Sequence, residues 1–490
     1  MIEALVIAVP VLPVICGLLV QLARTSGMAD RVNVVGSLVI AAAAIALAIV
    51  AIVDSSRPIQ GSWYVLDGAT GAYLAVVAVV GVLSALVSPT YLAGAGRSFF
   101  RAARARAWYY LGFYLFWAAV LALPLLNNLG VAWLLVEATT GASALLVAYS
   151  GRRSALEAGW KYLVLTTFGL TIALVGILTL YVGLAPHGGV LSTLDWQYIG
   201  LHAHSLPRES ALLAFLLIIA GLAAKIGWAP VHNWLPDAHS EAPPPVSALL
   251  SAALLPTVML VAWRVLETLG PALRGGVANA TFLAFGLVSL AIAVPFLWRP
   301  LAWKRLLAYS SLEHMGVLAL GIGFATPLAT AGVVLHVAGH ALAKALGFYA
   351  ALPLLRHHPK AAEHAPRGIA RVSTGTGAAM GISLGSLGGV PPSPLFFSEL
   401  LVLLGGIAAG KLVVTLIATT LLACGFLGLA HALIEGLLGG ERQRKWRRGR
   451  TARLTERLTV AIGAGLIALS ASAYLLAGST FARTLMRGVT

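Results

Sequence analysis

The chain is 490 residues long, 59% hydrophobic and only 10% charged, whereas a soluble globular protein is about a quarter charged; this leaves almost no room for a soluble domain. The formal net charge of +16 is read as basic loops on a membrane protein, so no nucleic-acid partner is expected. Cys16 and Cys424 stand far apart in apolar segments, which excludes a cysteine-ligated iron–sulfur cluster or a cysteine zinc site built by this chain alone.

Apolar runs of about 20 residues recur from end to end, each long enough to cross a bilayer as a helix. They lack the apolar–polar alternation of membrane strands. The first, "MIEALVIAVPVLPVICGLLVQLA", has neither a basic leader nor a small-residue cleavage site and is read as a spanning helix. Spans are predicted near 2–23, 32–53, 72–95, 107–126, 129–150, 159–184, 211–240, 244–267, 277–298, 306–324, 328–355, 373–409, 412–437 and 458–478. The expected fold is all-α, a polytopic membrane protein of about 14 transmembrane helices.

Loop charge tests this count. The basic connections are Arg24 with Arg31, Arg97 to Arg106, Arg152 with Arg153, Arg299 to Arg305, Arg356 to Arg371, and Glu441 to Arg457. They fall on one side, the cytoplasmic one, only if 373–409 crosses once. That segment contains "GGVPPSPLFFSE", so two half-helices joined by an unwound stretch are expected. Both termini then lie outside. The seventh span is broken in the same manner by "KIGWAPVHNWLPDAHSEAPPPVSALLS". The two breaks are five spans apart, so residues 107–269 (spans 4–8) and 270–437 (spans 9–13) form two inverted five-helix repeats. Residues 1–106 precede them as spans 1–3, and 438–490 follow as a basic loop and the last helix.

An ionisable side chain inside a spanning helix costs about 2.5–3.5 kcal/mol or more, so each one requires a partner, water or a task. Glu137 lies midway along span 5 with no cation within a turn; it is read as a carboxylate that loads and unloads a proton, against a plain protonated acid bonded inside the bundle. Lys225 lies just before Pro230. Burial disfavours its charge and a carboxylate restores it, so a lysine facing Glu137 is a switchable proton site, against a static ion pair. Pro230 also frees backbone carbonyls for water or Lys225.

His336, His340 and Lys344 recur at i, i+4 and i+8, on one helix face, a spacing suited to a proton relay. A metal or haem is the rival reading; none is expected, because no second histidine pair marks another helix at matching depth. Glu399 follows the second break and is the counterpart of Lys225 with opposite charge. Lys304 and Glu313, with His314 beside it, open span 10, where Lys304 is free to snorkel to the interface. Glu157 and Lys161 are spaced for an i, i+4 salt bridge, and Lys161 also has the option of sitting near Glu137. His232, Asp237, His239 and Glu241 lack a zinc-site pattern, so they are read as helix caps and the lining of a cytoplasmic proton inlet. Gly381, Gly385 and Gly388 are read as sites of close helix packing.

"KIGWAPVHNWLPDAHSEAPPPVSALLS", "WKRLLAYSSLEHMG", "LHVAGHALAKALGF" and "GVPPSPLFFSELL", in this order, resemble the antiporter-like subunits of respiratory complex I, Mrp antiporters and membrane-bound hydrogenases. "VEATTGASALLVAY" followed by "EAGWKYLVL" most resembles component F of hydrogenase-4. The resemblance implies a proton-translocating, non-catalytic membrane subunit of an oxidoreductase, carrying no cofactor itself. Its partners would be lipid, other membrane subunits and a peripheral redox arm with nickel–iron or iron–sulfur centres, in the prokaryotic inner membrane. It implies a proton path through Glu137, Lys225, His336, His340, Lys344 and Glu399, supported by Lys161, His232, Asp237, His239, Lys304 and Glu313. One departure stands out: where relatives carry a lysine or histidine along span 8, "SALLSAALLPTVMLVAW" offers Ser247, Ser251 and Pro256. The alternatives are a subunit of a redox-independent cation/proton antiporter or solute-uptake complex, or a scaffold with static charges. Co-purification of a redox arm separates the first from the redox reading.

Overall fold

The protein is described here from a computed structural model, which covers residues 2–54, 58–94, 104–184, 192–273, 276–357, 363–440 and 450–478. The first three spans are α1 (Ile2–Gln21), α2 (Ser26–Val53) and α3 (Gly68–Leu92). Strands β1 (Ile59–Gln60) and β2 (Val65–Leu66) pair antiparallel between α2 and α3. Then come α4 (Ala105–Ala122), α5 (Leu129–Val147) and α6 (Arg153–Leu184), followed by the short α7 (Trp196–His202). Starts are set by side-chain caps that satisfy free backbone N–H groups: Asp67 accepts from Thr70 N at 2.6 Å before α3, and Asn128 from Val131 N at 3.1 Å before α5.

The seventh crossing is broken as expected. α8 (Arg208–Ile226) stops at Gly227, whose φ of 81° a side chain rarely tolerates. Pro230 follows, and the chain resumes as α9 (Leu235–Glu241). The eighth crossing is α10 (Pro244–Leu249), a π-helical turn at Leu250–Leu254, and α11 (Leu255–Leu269). α12 (Val277–Leu297), α13 (Trp303–Phe324) and α14 (Pro327–His357) lead to the short α15 (Ile369–Val372).

The second break repeats the grammar of the first. α16 (Thr374–Leu387) ends before Gly389, at φ 69°, and Pro391 and Pro392 follow. Ser393 then caps α17 (Pro394–Ala408), accepting from Phe396 N at 3.2 Å. α18 (Leu412–Leu438) and α19 (Arg450–Gly478) complete the chain. Among the described residues 13 helices are long and apolar enough to cross a membrane; α16 and α17 together make one further crossing, in line with the expected count. Residues 441–449 of the basic segment before α19 lie outside the described residues. β1, β2 and α7 were not expected; they are too short to leave a periodic signal.

Burial separates centre from rim. α13 and the α10–α11 crossing are wholly buried along their apolar windows, whereas α1 is 22% and α18 28% buried. The rim presents large apolar side chains such as Phe168, Val182 and Val413, as expected of faces solvated by lipid or by other membrane helices. In the two five-helix units, α6 packs on α8 and α14 on α17. Both contacts depend on glycine. A Cβ at Gly221 would lie 2.5 Å from Ala173 N and Gly169 O, and one at Gly332 would lie 2.8 Å from Ser398 O.

Of the three glycines expected to pack closely, Gly388 faces α18, where a Cβ would meet Phe426 at 3.6 Å and Leu429 at 3.8 Å, but the other two are not closely packed. A Cβ at Gly385 would meet nothing within 4 Å, and one at Gly381 would make an ordinary contact with Leu437 at 3.5 Å. Spacing of small residues alone does not show which side of a helix a neighbour occupies.

Candidate functional site

Close approach of α6 to α8 sets Lys225 against α5 and α6, fully buried. Its Nζ donates to Thr140 Oγ1 at 2.7 Å and Tyr162 OH at 2.6 Å, and lies 4.6 Å from the Tyr162 ring centre. Ser143 gives its hydroxyl proton to Thr139 O at 2.5 Å. Tyr162 OH, 2.8 Å away, is therefore the donor to Ser143 Oγ. Lys225, Tyr162 and Ser143 thus form a directed hydrogen-bond chain. Glu137, three residues before Thr140, is half-buried; its Oε1 accepts from Thr167 at 2.7 Å and its buried Oε2 has no protein hydrogen-bond partner. Glu137 and Lys225 do not touch as an ion pair, yet Glu137 is the charge that acts most on Lys225. The carbonyls freed by the break go elsewhere than Lys225: Ala223 O accepts from Gly227 N and Trp228 N, and Ala224 O from Trp234 Nε1 at 2.7 Å.

His239, on α9, is fully buried with neither ring nitrogen bonded to protein. It lies within electrostatic range of Lys344, Lys304 and His340. Lys344, also fully buried, donates to Leu307 O at 2.5 Å and to Ser310 Oγ. Beside it Ser251, inside the π-helical turn, meets Ser311 Oγ at 2.8 Å. A π-helical turn displaces backbone and side chain from helical register and is frequent at functional sites; here it turns a serine towards α13 where relatives were expected to carry a lysine or histidine. Ser247 is occupied locally, donating to His239 O at 2.8 Å.

Beyond Lys344 stands a residue that the sequence reading mentioned without using: His314 on α13. His314 Nδ1 lies 3.1 Å from His336 Nε2, and His336 Nδ1 lies 2.9 Å from Ser398 Oγ on α17. Ser398 gives its proton to Leu395 O at 2.8 Å, so it accepts from His336. His340, with no protein partner on either ring nitrogen, has its ring centre 5.2 Å from that of His314. Glu399, half-buried, packs over the break: a Cβ at Gly389 would stand 2.9 Å from its Oε2. Glu313, almost fully buried, interacts with both Glu399 and Lys344. His314 was missed because it continues no histidine spacing along its own helix; the missed signal is a Glu–His pair within a span buried on all sides.

The supporting residues divide. Lys304 does not snorkel: it is buried and donates to Ser240 O at 2.7 Å and to Ala242 O, holding the turn between α9 and α10. Asp237 sits in the first turn of α9 and pairs with Arg305 and with Lys161 at 3.5 Å. Lys161 pairs also with Glu157 at 2.5 Å, as its spacing predicted, and it keeps to the surface, away from the Glu137 contacts. Arg152 pairs with Glu241 at 2.9 Å. Glu157, Lys161, Asp237, Glu241 and Arg305 line a cavity of about 500 Å³, and Arg152, Glu241 and Lys304 border a second one of about 300 Å³. His232 is buried with Nδ1 unbonded; it does not gather with Asp237, His239 and Glu241 into a ligand group among the described residues. At the opposite end, Arg264 donates to Asp67 at 3.2 Å and Thr70 at 2.8 Å, beside a cavity of about 580 Å³. That buried pair also went unnoticed in the sequence.

The arrangement places buried titratable groups of α8, α9, α13 and α14 between the two helix breaks, with cavities at the two ends of the helices, beside Asp237 and Lys304 at one and beside Arg264 at the other. The chain matches the profile described as NADH:quinone oxidoreductase/Mrp antiporter, TM, over residues 127–424. It is 32% identical over 302 residues to a hydrogenase-4 component F homolog of Methylacidiphilum infernorum (isolate V4), covering 60% of this chain and 62% of that relative's length. It is 31% identical over 402 residues to NADH-quinone oxidoreductase subunit N of Desulforudis audaxviator (strain MP104C), covering 78% of this chain and 74% of that protein. In fold it matches a chain of the Mrp complex from Dietzia sp. DQ12-45-1b with a TM-score of 0.79 and 20% identity, covering 99% of both chains. With the profile spanning more than half the chain and a relative of this identity covered over about three quarters of its length, the protein belongs to the NADH:quinone oxidoreductase/Mrp antiporter transmembrane family.

Proposed function

We propose that the chain is a proton-translocating, antiporter-like membrane subunit of a multisubunit redox complex of the complex I or membrane-bound hydrogenase type. The observation that carries this reading is the row of buried, unevenly satisfied polar groups: Lys225, His239, Lys344, His340, His314 and His336, ending at Glu399. Buried polar groups are nearly always hydrogen-bonded; those without a protein partner have capacity for water. Protons hop along such a row as bonds are exchanged. Electron transfer in other subunits would shift the Glu137–Lys225 interaction, and the released proton would move towards Glu399. The serine pair Ser251–Ser311 stands where a lysine or histidine was missing and supplies the link between the two halves.

In this proposal the division into 107–269 and 270–437 separates two half-channels. The basic connections face the cytoplasm, both termini face outward, and lipid surrounds the rim. The nickel–iron or iron–sulfur arm belongs to a partner subunit. The test is proton uptake by vesicles containing the whole complex. Lys225→Ala and Glu137→Gln are expected to abolish proton movement with subunit assembly intact. Unchanged translocation in both variants would refute the relay and leave a scaffold.

A further inference from the structure

The relay's far end has a second chemical capacity, independent of whether it conducts protons. One ligand atom each of His314, His336 and Glu399 lie within 4.8 Å of one another, and these three form the one such group among the described residues. They come from three different helices, α13, α14 and α17, so the cluster is a product of packing and not of local spacing.

Its dimensions suit a first-row transition metal. Two nitrogens on one tetrahedral zinc, each at about 2.0–2.1 Å, are separated by about 3.3 Å; His314 Nδ1 and His336 Nε2 are 3.1 Å apart. An outer-shell partner is in place for one of the two histidines, His336, while the second ring nitrogen of His314 has none. Ligating histidines characteristically donate their second ring N–H to a fixed acceptor, and His336 Nδ1 does so to Ser398, itself anchored on Leu395 O. His340 stands outside this group, its ring centre 6.3 Å from that of His336, so the fourth position of a tetrahedral ion would fall to water. The donor set of imidazoles and one carboxylate favours zinc, copper or nickel over sodium or magnesium, which prefer oxygen ligands.

We propose that His314, His336 and Glu399 form a transition-metal site, and that a bound divalent ion closes the relay at its Glu399 end. The ion would take the place of the proton shared between His314 and His336, tie α13, α14 and α17 together and withdraw both imidazoles from proton exchange. Metal binding goes beyond the proton-translocation reading and does not depend on it; the closure of the relay rests on that reading.

The test is metal binding by the purified, metal-stripped chain, in complex with its membrane subunits, followed by calorimetry with Zn2+ and by the visible absorption of added Co2+. One ion per chain is expected, with tetrahedral Co2+ bands. His314→Ala should remove the bands and weaken Zn2+ binding at least 100-fold. Ser398→Ala, which leaves every ligand in place and spares the fold, should weaken it about 10–100-fold. His239→Ala, buried outside the cluster, should leave affinity unchanged. Equal Zn2+ affinity in wild type, His314→Ala and Ser398→Ala would overturn the site, as would binding lost only on removing exposed His204 or His431. In the intact complex, Zn2+ should block proton movement in wild type; block persisting at the same concentration in Ser398→Ala would likewise count against it.

Discussion

At the level of single residues, the decisive feature is how Lys225 is held. Its ammonium donates to two neutral oxygens, Thr140 and Tyr162, and not to a carboxylate. Neutral acceptors stabilise the charge without fixing the proton, so in the proposed relay a modest change in the Glu137 field would decide whether Lys225 keeps it. Tyr162 passes the bond on to Ser143. Tyr162→Phe removes that hydroxyl while retaining the ring that packs against Trp234 at 4.6 Å. We expect proton translocation to fall about tenfold, equivalent to about 1.4 kcal/mol in the barrier, with assembly unaffected; an unchanged rate in vesicles would take Tyr162 out of the path. The ionisable members were legible because a charge inside an apolar span is conspicuous. Their hydroxyl partners were not, since Thr140, Ser143, Ser310 and Ser398 are ordinary in membrane helices and gain meaning only from what faces them. Lys304 was left open between the interface and the interior because it stands near a helix end, and two carbonyls of a proline-rich turn capture it in the interior.

Among the helices, the two breaks organise the site. Each pairs a left-handed glycine with nearby proline, Gly227 with Pro230 and Gly389 with Pro391 and Pro392. Those residues punctuate a chain in any context, which is why both breaks were readable in sequence. The close helix contacts were less readable, because glycine is common throughout and only some positions face backbone. Two substitutions separate the cases. Gly221→Val drives a side chain into backbone atoms of α6 that cannot rotate away, 2.5 Å from the Cβ position. A cost of about 1–3 kcal/mol is expected, read as a lower melting temperature in detergent and a disturbed Lys225. Gly385→Ala fills open space in α16 and should be neutral, or stabilising by about 0.5–1 kcal/mol from helix propensity. Equal melting temperatures for the two variants would show that α6 and α8 are not closely held.

Over the whole molecule, alternating helices bring Arg152, Lys161 and Arg305 to one end, while β1, β2, α7 and the Asp67–Arg264 pair occupy the other. The number of crossings was legible from hydropathy, and their parity from loop charge, because the bilayer imposes both on the sequence directly. The small cap of strands and α7 was not, since a few residues held by long-range bridges such as Asn128 to Asp195 leave no periodic trace. Orientation follows if the basic end remains in the cytoplasm. Two exposed positions report on it: Ser154 at the start of α6, and Gln197 on α7. Native Cys16 and Cys424 lie within spanning helices and are replaced by serine to remove background. A thiol reagent that does not cross membranes should then label Gln197→Cys in intact cells, and Ser154→Cys only after permeabilisation. The opposite pattern would invert the molecule, put the Asp237–Lys304 cavities on the outer surface, and require protons to enter where the present reading has them leave.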